Sequence, residues 1–299
     1  MTIGIGVLCS STGSVPDVLT LISDSMGSTE THSTDAVAKT WSSGPLHAVG
    51  AGRIEVAAEI FDTIERHILG LPEGKRSHGT IWKSLCIAVN GFRSERFFFE
   101  VLRNEHVIEN EISGRLFQND PAKIQEAWKN YHIGAELLVG TFDDAGRALL
   151  YYIGTFADKP GWVHLLDNPA HGAIGTGSYN ASAWLCYRNQ AMNLGVKRSV
   201  YHAFEASRMA ASAPTVNDQI ELTIATKTGS SYIAKDRCYP DGPYSVTFDE
   251  LENLYSRYGP QDTEGLVFSQ EGAQYPQSPR DVVLPPSPSP ESHGGSGEP

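Results

Sequence analysis

Thr2-Ile3-Gly4-Ile5-Gly6-Val7-Leu8-Cys9, followed by Val18-Leu19-Thr20-Leu21-Ile22-Ser23-Asp24-Ser25, is the stretch on which the reading of the fold turns. Residues Met1–Leu8 alternate Ile and Val with Gly and read as a strand with one bare face. That face has two readings: a close contact with another layer, or room for a substrate. The Ser, Thr, Gly and Pro of Ser10–Pro16 are turn chemistry. Val18–Ile22 is a second run of strand length, and it stops at Ser23-Asp24-Ser25. A Ser- and Thr-rich stretch leads to Ala36-Val37-Ala38-Lys39-Thr40-Trp41, and Pro45–Gly50 reads as a further short strand.

From Arg53 the period changes to that of a helix. Ile54, Ala57, Ala58, Phe61, Ile64 and Ile68 share one face, Gly70 follows as a stop and Pro72 prevents continuation. Trp82–Val89 and Phe97–Leu102 read as strands. Asp120-Pro121 opens a second helix, a capping carboxylate followed by proline at the first helical position. Its face is Ile124, Ala127, Trp128 and Tyr131, and Gly134 ends it. Leu137–Val139 and Ala148–Ile153 read as strands joined by a hairpin connection. After Gly175-Thr176-Gly177-Ser178 a helix is expected to reach Leu194, then a second over Lys197–Ala211. Asn217–Thr226 reads as a strand and Phe248–Tyr258 as an amphipathic helix. This order is α/β or α+β rather than a regular βαβ alternation.

Composition narrows the function classes. Lys and Arg number 23 against 35 Asp and Glu, a net charge of -12, which argues against a nucleic-acid partner. No apolar run approaches the ~20 residues that span a bilayer, so no membrane partner is expected. The N-terminus lacks a basic n-region and Met1–Cys9 is too short for a signal core. Cys9, Cys86, Cys186 and Cys238 have no short paired spacing of the kind zinc requires. A soluble, reducing, cytoplasmic setting is the expectation, with no metal or cofactor. Gly4-Ile5-Gly6 runs on into Val7-Leu8-Cys9, which excludes a dinucleotide fingerprint.

A Thr hydroxyl is a poor nucleophile without a base beside it, but a Thr at the head of a chain carries its own α-amine. That amine titrates at about 7.7–8.0, close to neutrality. A Lys nearby depresses it by like-charge repulsion, provided a carboxylate holds the Lys ionised. The minimal set is therefore an N-terminal Thr, a Lys and an Asp. Thr2 behind a removable Met1, Asp24 at a strand end and Lys39 in the next segment supply it, in that order.

Thr2-Ile3-Gly4-Ile5-Gly6, Leu21-Ile22-Ser23-Asp24-Ser25 and Ala38-Lys39 resemble the start of proteasome β-type subunits and the related bacterial HslV-type peptidase. Ala48-Val49-Gly50-Ala51-Gly52, leading into the first helix, is similar to the segment whose Gly N–H forms the oxyanion hole, and Gly52 best matches that position. Leu137–Asp143 with Leu149–Ile153 resembles the family's central hairpin. Ala173–Ala181 resembles its Gly-Ser-Gly turn into a helix, with Thr176 in the place of the Ser. Arg208-Met209-Ala210-Ala211-Ser212-Ala213-Pro214 stands against Arg-Asp-x-x-Ser-Gly-Gly, so Ser212 matches while Met209 replaces an active-site Asp. A thioether cannot replace that Asp's hydrogen bonds; Asp218 is a candidate to compensate.

The resemblance covers residues 2–70 and 135–226; residues 71–134 have no counterpart in it. It implies an α+β fold, a four-layer αββα sandwich of the N-terminal-nucleophile hydrolase type, over residues 2–235. A C-terminal extension with a short helix (236–259) and a Pro/Ser/Gly-rich, disordered tail (260–299) would follow. It implies a threonine peptidase with Thr2 as nucleophile and base, Lys39 tuning the amine, Asp24 holding Lys39, Gly52 binding the oxyanion, and Thr176 and Ser212 in support. Peptides or unfolded proteins would be the substrates, a homo-oligomer, with a ring possible, the assembly, and an ATPase unfoldase a possible partner. The alternatives are an amidase of the same class acting on a small molecule, and a catalytically silent relative.

Other groupings carry less. Ser10, Ser11, Ser23 and the 10 His lack the G-x-S-x-G elbow of a Ser–His–Asp hydrolase. His164, Asp167 and His171 straddle Pro169 and read as loop residues. Trp82, Trp128 and Trp184 read as core or interface aromatics. Arg93, Arg96 and Arg103 among phenylalanines read as a partner surface or an edge strand.

Overall fold

The computed structural model describes residues 3–10, 17–25, 27–28, 33–34, 39–103, 121–154, 162–211, 216, 219–234, 237–239, 246–259, 269–270 and 273–274. The chain divides into a unit ending at Phe248 and a second one from Asp249. In the first, β1 (Ile3–Cys9) and β2 (Val18–Asp24) precede the two-residue pair β3 (Gly27–Ser28) and β4 (Ser33–Thr34). Then come β5 (Thr40–Ser43), β6 (Leu46–Gly52), α1 (Ile54–Leu69) and α2 (His78–Phe97), which runs into a π-helical turn, Phe98–Arg103. Next are α3 (Pro121–Asn130), β7 (Ala135–Phe142), β8 (Ala148–Gly154), β9 (Trp162–Leu165) and β10 (His171–Gly175). The unit continues with α4 (Ser178–Tyr187), α5 (Val196–Ala210), β11 (Ile220–Thr226), β12 (Gly229–Ala234) and β13 (Arg237–Tyr239). A helix α6 (Phe248–Tyr258) and a short pair, β14 (Ser269–Gln270) with β15 (Ala273–Gln274), are described beyond.

The fold is mixed α+β with two main antiparallel sheets. One has the order β10-β1-β2-β11-β12-β13 and the other β5-β6-β7-β8-β9. Their facing residues form one apolar layer, Leu8, Leu19 and Leu21 meeting Val49, Leu138 and Leu150. The far face of the five-stranded sheet takes Val56, Ile60 and Ile64 of α1 and Leu85 and Val89 of α2 against Leu137, Val139 and Tyr151. Helices α4 and α5 pack on the other sheet, against β10, β1 and β2. Full burial of each such aliphatic side chain contributes about 1.5–3 kcal/mol, so these layers dominate stability.

The bare face of β1 serves packing. A Cβ on Gly4 would lie 2.8 Å from Ile174 and 3.0 Å from Val49, and one on Gly6 would lie 2.9 Å from Leu150. Across the same layer a Cβ on Gly140 would come 2.0 Å from Leu19. Glycine lets the sheets close to this distance, which leaves no room for a substrate along the middle of β1.

Three expectations are corrected. Trp82–Val89 is helix, because Ile81, Leu85, Ala88, Val89 and Phe92 are buried at helical spacing and Ser77 caps the start by accepting from the Thr80 N–H. Exposed Trp82 and Ile87 mask that period in the sequence. Phe97–Leu102 is the end of α2 and the π-helical turn, not a strand. The helix after Gly177 stops at Tyr187 rather than Leu194, where Asn189 takes a positive φ of 50°. On α1, Val56 and Ile60 are fully buried, whereas Ile54 and Ala58 are only half-buried.

Candidate active site

The β1–β2 register pairs Gly4 with Ser23, so the last residue of β2, Asp24, lies beside the first residue of β1. One carboxylate oxygen of Asp24, Oδ1, accepts from the Ile3 amide at 2.9 Å and from Lys39 Nζ at 2.8 Å. Both side chains are buried, Asp24 at 0% and Lys39 at 1% exposure. Ile3 N is the amide that closes the Thr2–Ile3 peptide bond, so one carboxylate addresses both the lysine and the backbone directly after Thr2.

Lys39 is held from two sides. Its carbonyl accepts from Gly50 N at 2.9 Å, which ties it to β6. Next to it Thr40 Oγ1 shares a 2.9 Å hydrogen bond with Ser23 Oγ of the other sheet. Burial lowers the affinity of Lys39 for its proton, and the Asp24 hydrogen bond and charge oppose that shift. Glu221 opposes it more weakly, and the net direction is downward, so Lys39 releases its proton more readily than an exposed lysine. Removing one member of such a pair strands the other in the interior, at a cost of about 3–5 kcal/mol.

The other named positions that the structure describes lie at or beside the ends of elements. Gly175, the last residue of β10, pairs with Ile3, and exposed Thr176 follows it into the turn before α4. A Cβ on Gly177 would lie 2.9 Å from Ala210 Cβ and 3.3 Å from Ile3 Cδ1. The end of α5, carrying half-buried Met209, therefore comes to the start of β1. Gly52 ends β6 at φ +84°, and a Cβ there would lie 2.2 Å from the Gly134 carbonyl oxygen, so only glycine fits. Directly after it, α1 begins from Arg53 with no side-chain cap, presenting the positive end of a helix dipole. Thr2, Ser212 and Asp218 lie outside the described residues.

Glu136 and Tyr152 belong to the same end of the molecule and are not evident in the sequence. Glu136 Oε2 accepts from Gly175 N at 3.0 Å, and Oε1 accepts from the Tyr152 hydroxyl at 2.7 Å. Its neighbours across the sheet are Ala51 and Gly154, both small, which leaves a slot for the carboxylate. A glutamate on a strand reads in sequence as a solvent-facing residue; only the pairing of Gly175 with Ile3 relates it to Asp24.

The remaining groupings separate. His164 is exposed on β9, while His171 is buried on β10, its Nε2 3.9 Å from Cys186 Sγ. Among the described residues no group of three or more His, Cys, Asp and Glu is placed to hold a metal. Arg93 is buried and donates to the carbonyls of Trp128 and Tyr131, its guanidinium 3.9 Å from the Trp128 ring centre. It clamps α3 to α2, so the reading of Arg93 as part of an exposed surface is corrected. Arg96 bonds Glu59 and Glu100. Among the described residues no helix is long and apolar enough to cross a membrane. No protein-family model matches the chain, and no curated protein matches it significantly.

Proposed function

We propose that the first unit is a four-layer αββα N-terminal-nucleophile hydrolase of the proteasome β type, cleaving peptide amides with Thr2 once Met1 is removed. The observation that carries this reading is the Asp24 carboxylate, buried and shared between Lys39 Nζ and the amide that follows Thr2. An ordinary structural ion pair has no need to include the second residue's neighbour; a base at the chain terminus does.

In this mechanism Thr2 Oγ attacks the scissile carbonyl as its proton passes to the Thr2 α-amine, directly or through a water. The positive Lys39 keeps that amine's pKa down, so that it is free to accept. The tetrahedral oxyanion is stabilised by the Gly52 N–H at the head of α1. Its collapse expels the leaving amine, which takes the proton back and leaves an ester on Thr2. Water, deprotonated by the same α-amine, then hydrolyses the ester and restores the free hydroxyl. Thr176 and Ser212 contribute hydroxyl groups that orient the amine. Peptide or unfolded-protein substrates, a homo-oligomer and delivery by an unfoldase belong to the same proposal, as does a cytoplasmic setting.

Intact-mass analysis tests it. A free Thr2 and a mass shift with an electrophile directed at N-terminal Thr, absent from Thr2→Ala, are the expected results. Retention of Met1, or acetylation of Thr2, overturns the nucleophile. A free Thr2 that neither labels nor turns over peptide or small amides would favour the silent relative, for which half-buried Met209 in place of an Asp is the specific observation.

A further inference from the structure

The two sheets are joined by an apolar layer along most of their length, but at the end where β1 begins the contacts between them turn polar. Lys39 reaches Asp24, Thr40 meets Ser23, and Glu136 on β7 accepts from the amide of Gly175 on β10. The first two involve residues already assigned or bonded beside them. The third has no part in the proposed proton transfers, yet its geometry is specific. A carboxylate accepting a backbone N–H is a charge-assisted bond, stronger than a neutral one. Gly175 adopts φ +84°, so the chain leaves β10 at this residue and turns through Thr176 and Gly177 into α4. The turn closes against Ala210 and Ile3. Tyr152 holds the other carboxylate oxygen, and its reach requires Gly154: a Cβ there would lie 2.8 Å from the Tyr152 hydroxyl. Small residues on both sides, a tyrosine on one oxygen and the turn on the other leave the carboxylate one place to be.

We propose that Glu136 is a positioning residue, which anchors the Gly175–Thr176 turn to strand β7 and thereby sets the Thr176 hydroxyl relative to the start of β1. This rests on the reading of Thr2 as the nucleophile. The role of Glu136 is orientation of a supporting hydroxyl, so its loss acts on turnover rather than on substrate affinity. Displacing a positioned group by about 1 Å can cost about 10²-fold in rate.

The test measures kcat, KM, thermal midpoint and amide hydrogen exchange in the full chain, for wild type, Thr2→Ala, Glu136→Ala, Glu136→Met and Glu136→Gln. Peptide amides are the substrates, and covalent titration of Thr2 counts competent sites. Glu136→Ala should lower kcat per titrated site by about 10²-fold with KM within about 3-fold, and speed exchange at the Gly175 and Thr176 amides while β2 and β11 stay protected. Glu136→Met fills the slot without an acceptor and should behave alike, so the result stands if the alanine variant fails to fold. Glu136→Gln should recover most of kcat, because its amide oxygen accepts from Gly175 N while its NH₂ meets the Tyr152 oxygen. Unchanged kcat per site in Glu136→Met, or loss of thermal midpoint alone, overturns the proposal with the hydrolase intact. Turnover in Thr2→Ala equal to wild type, or neither turnover nor labelling in the wild type, overturns the hydrolase and this role together.

Discussion

Two ion pairs are buried among the described residues, and they are built differently. Arg188 and Glu205 meet as a two-pronged fork, Nε to Oε2 and Nη2 to Oε1, each at 2.6 Å. Tyr201 donates to Oε1 at 3.4 Å, and the guanidinium lies 5.1 Å from the Trp184 ring centre and 5.6 Å from that of Tyr187. The planar guanidinium meets the carboxylate edge to edge, so this pair has one geometry. Lys39 instead meets Asp24 at a single oxygen that also serves the Ile3 amide, and its burial favours release of the proton. Similar depth therefore yields a two-pronged brace in one place and, in the other, a lysine that holds its proton less tightly than an exposed one. Burial of a charge is not in itself a sign of chemistry; the type of cation and what else its anion holds are.

Substitution separates the two pairs. Lys39→Met should lower kcat/KM on peptide amides by about 10³-fold, within the range for losing a group that governs a catalytic proton, which is about 4 kcal/mol of barrier. It also leaves Asp24 buried without its cation, so denaturant unfolding must be measured alongside. Arg188→Met should cost about 3–5 kcal/mol of stability while kcat per folded molecule stays at the wild-type value. A comparable loss of kcat in both variants would show that the two pairs do not differ in role.

His47, at 1% exposure and hydrogen-bonded to Ser42 at 2.9 Å, has its pKa lowered by burial from 6.5 to about 4. The unfolded chain then binds the proton first. The neutral imidazole's contribution is fully present above pH 6.5, falls as pH drops through the interval, and levels off below about 4. A depression of this size corresponds to about 3 kcal/mol. His171 and His202 are lowered in the same direction, so His47→Gln should flatten only part of the pH dependence of unfolding. The smallest effect belongs to Tyr152→Phe, which removes one hydrogen bond from Glu136 and should cost about 1 kcal/mol of stability, read by the same unfolding measurement.

Local chemistry in the sequence foretold much of this arrangement. The Gly alternation before an apolar run ending in Asp24 predicted β1 and β2, and the 3.6 period from Ile54 to Ile68 with Gly70 beyond it predicted α1. Asp24 and Lys39 were legible as residue types in order, and the structure places them in contact. What failed to show were features decided by distant neighbours. Residues 81–92 carry apolar side chains on both the buried and the exposed side of α2, so their pattern resembles a buried strand. Glu136 became informative only through Gly175, 39 positions away. Strands β9, β10 and β12 are short or polar and owe their pairing to β8, β1 and β11 rather than to their own composition.

Gly4 and Gly6 have a consequence for how this chain can drift. Both are demanded by the spacing of the sheets. A descendant would need those two glycines whatever the chain does; under the proposed function, one that lost the use of Thr2 would be released from Lys39 and Asp24 only by replacing both, since either alone is stranded in the interior. Survival of the glycines in a distant copy would thus record ancestry of shape. Survival of the Asp24–Lys39 pair with a free Thr2 is what the proposed function expects.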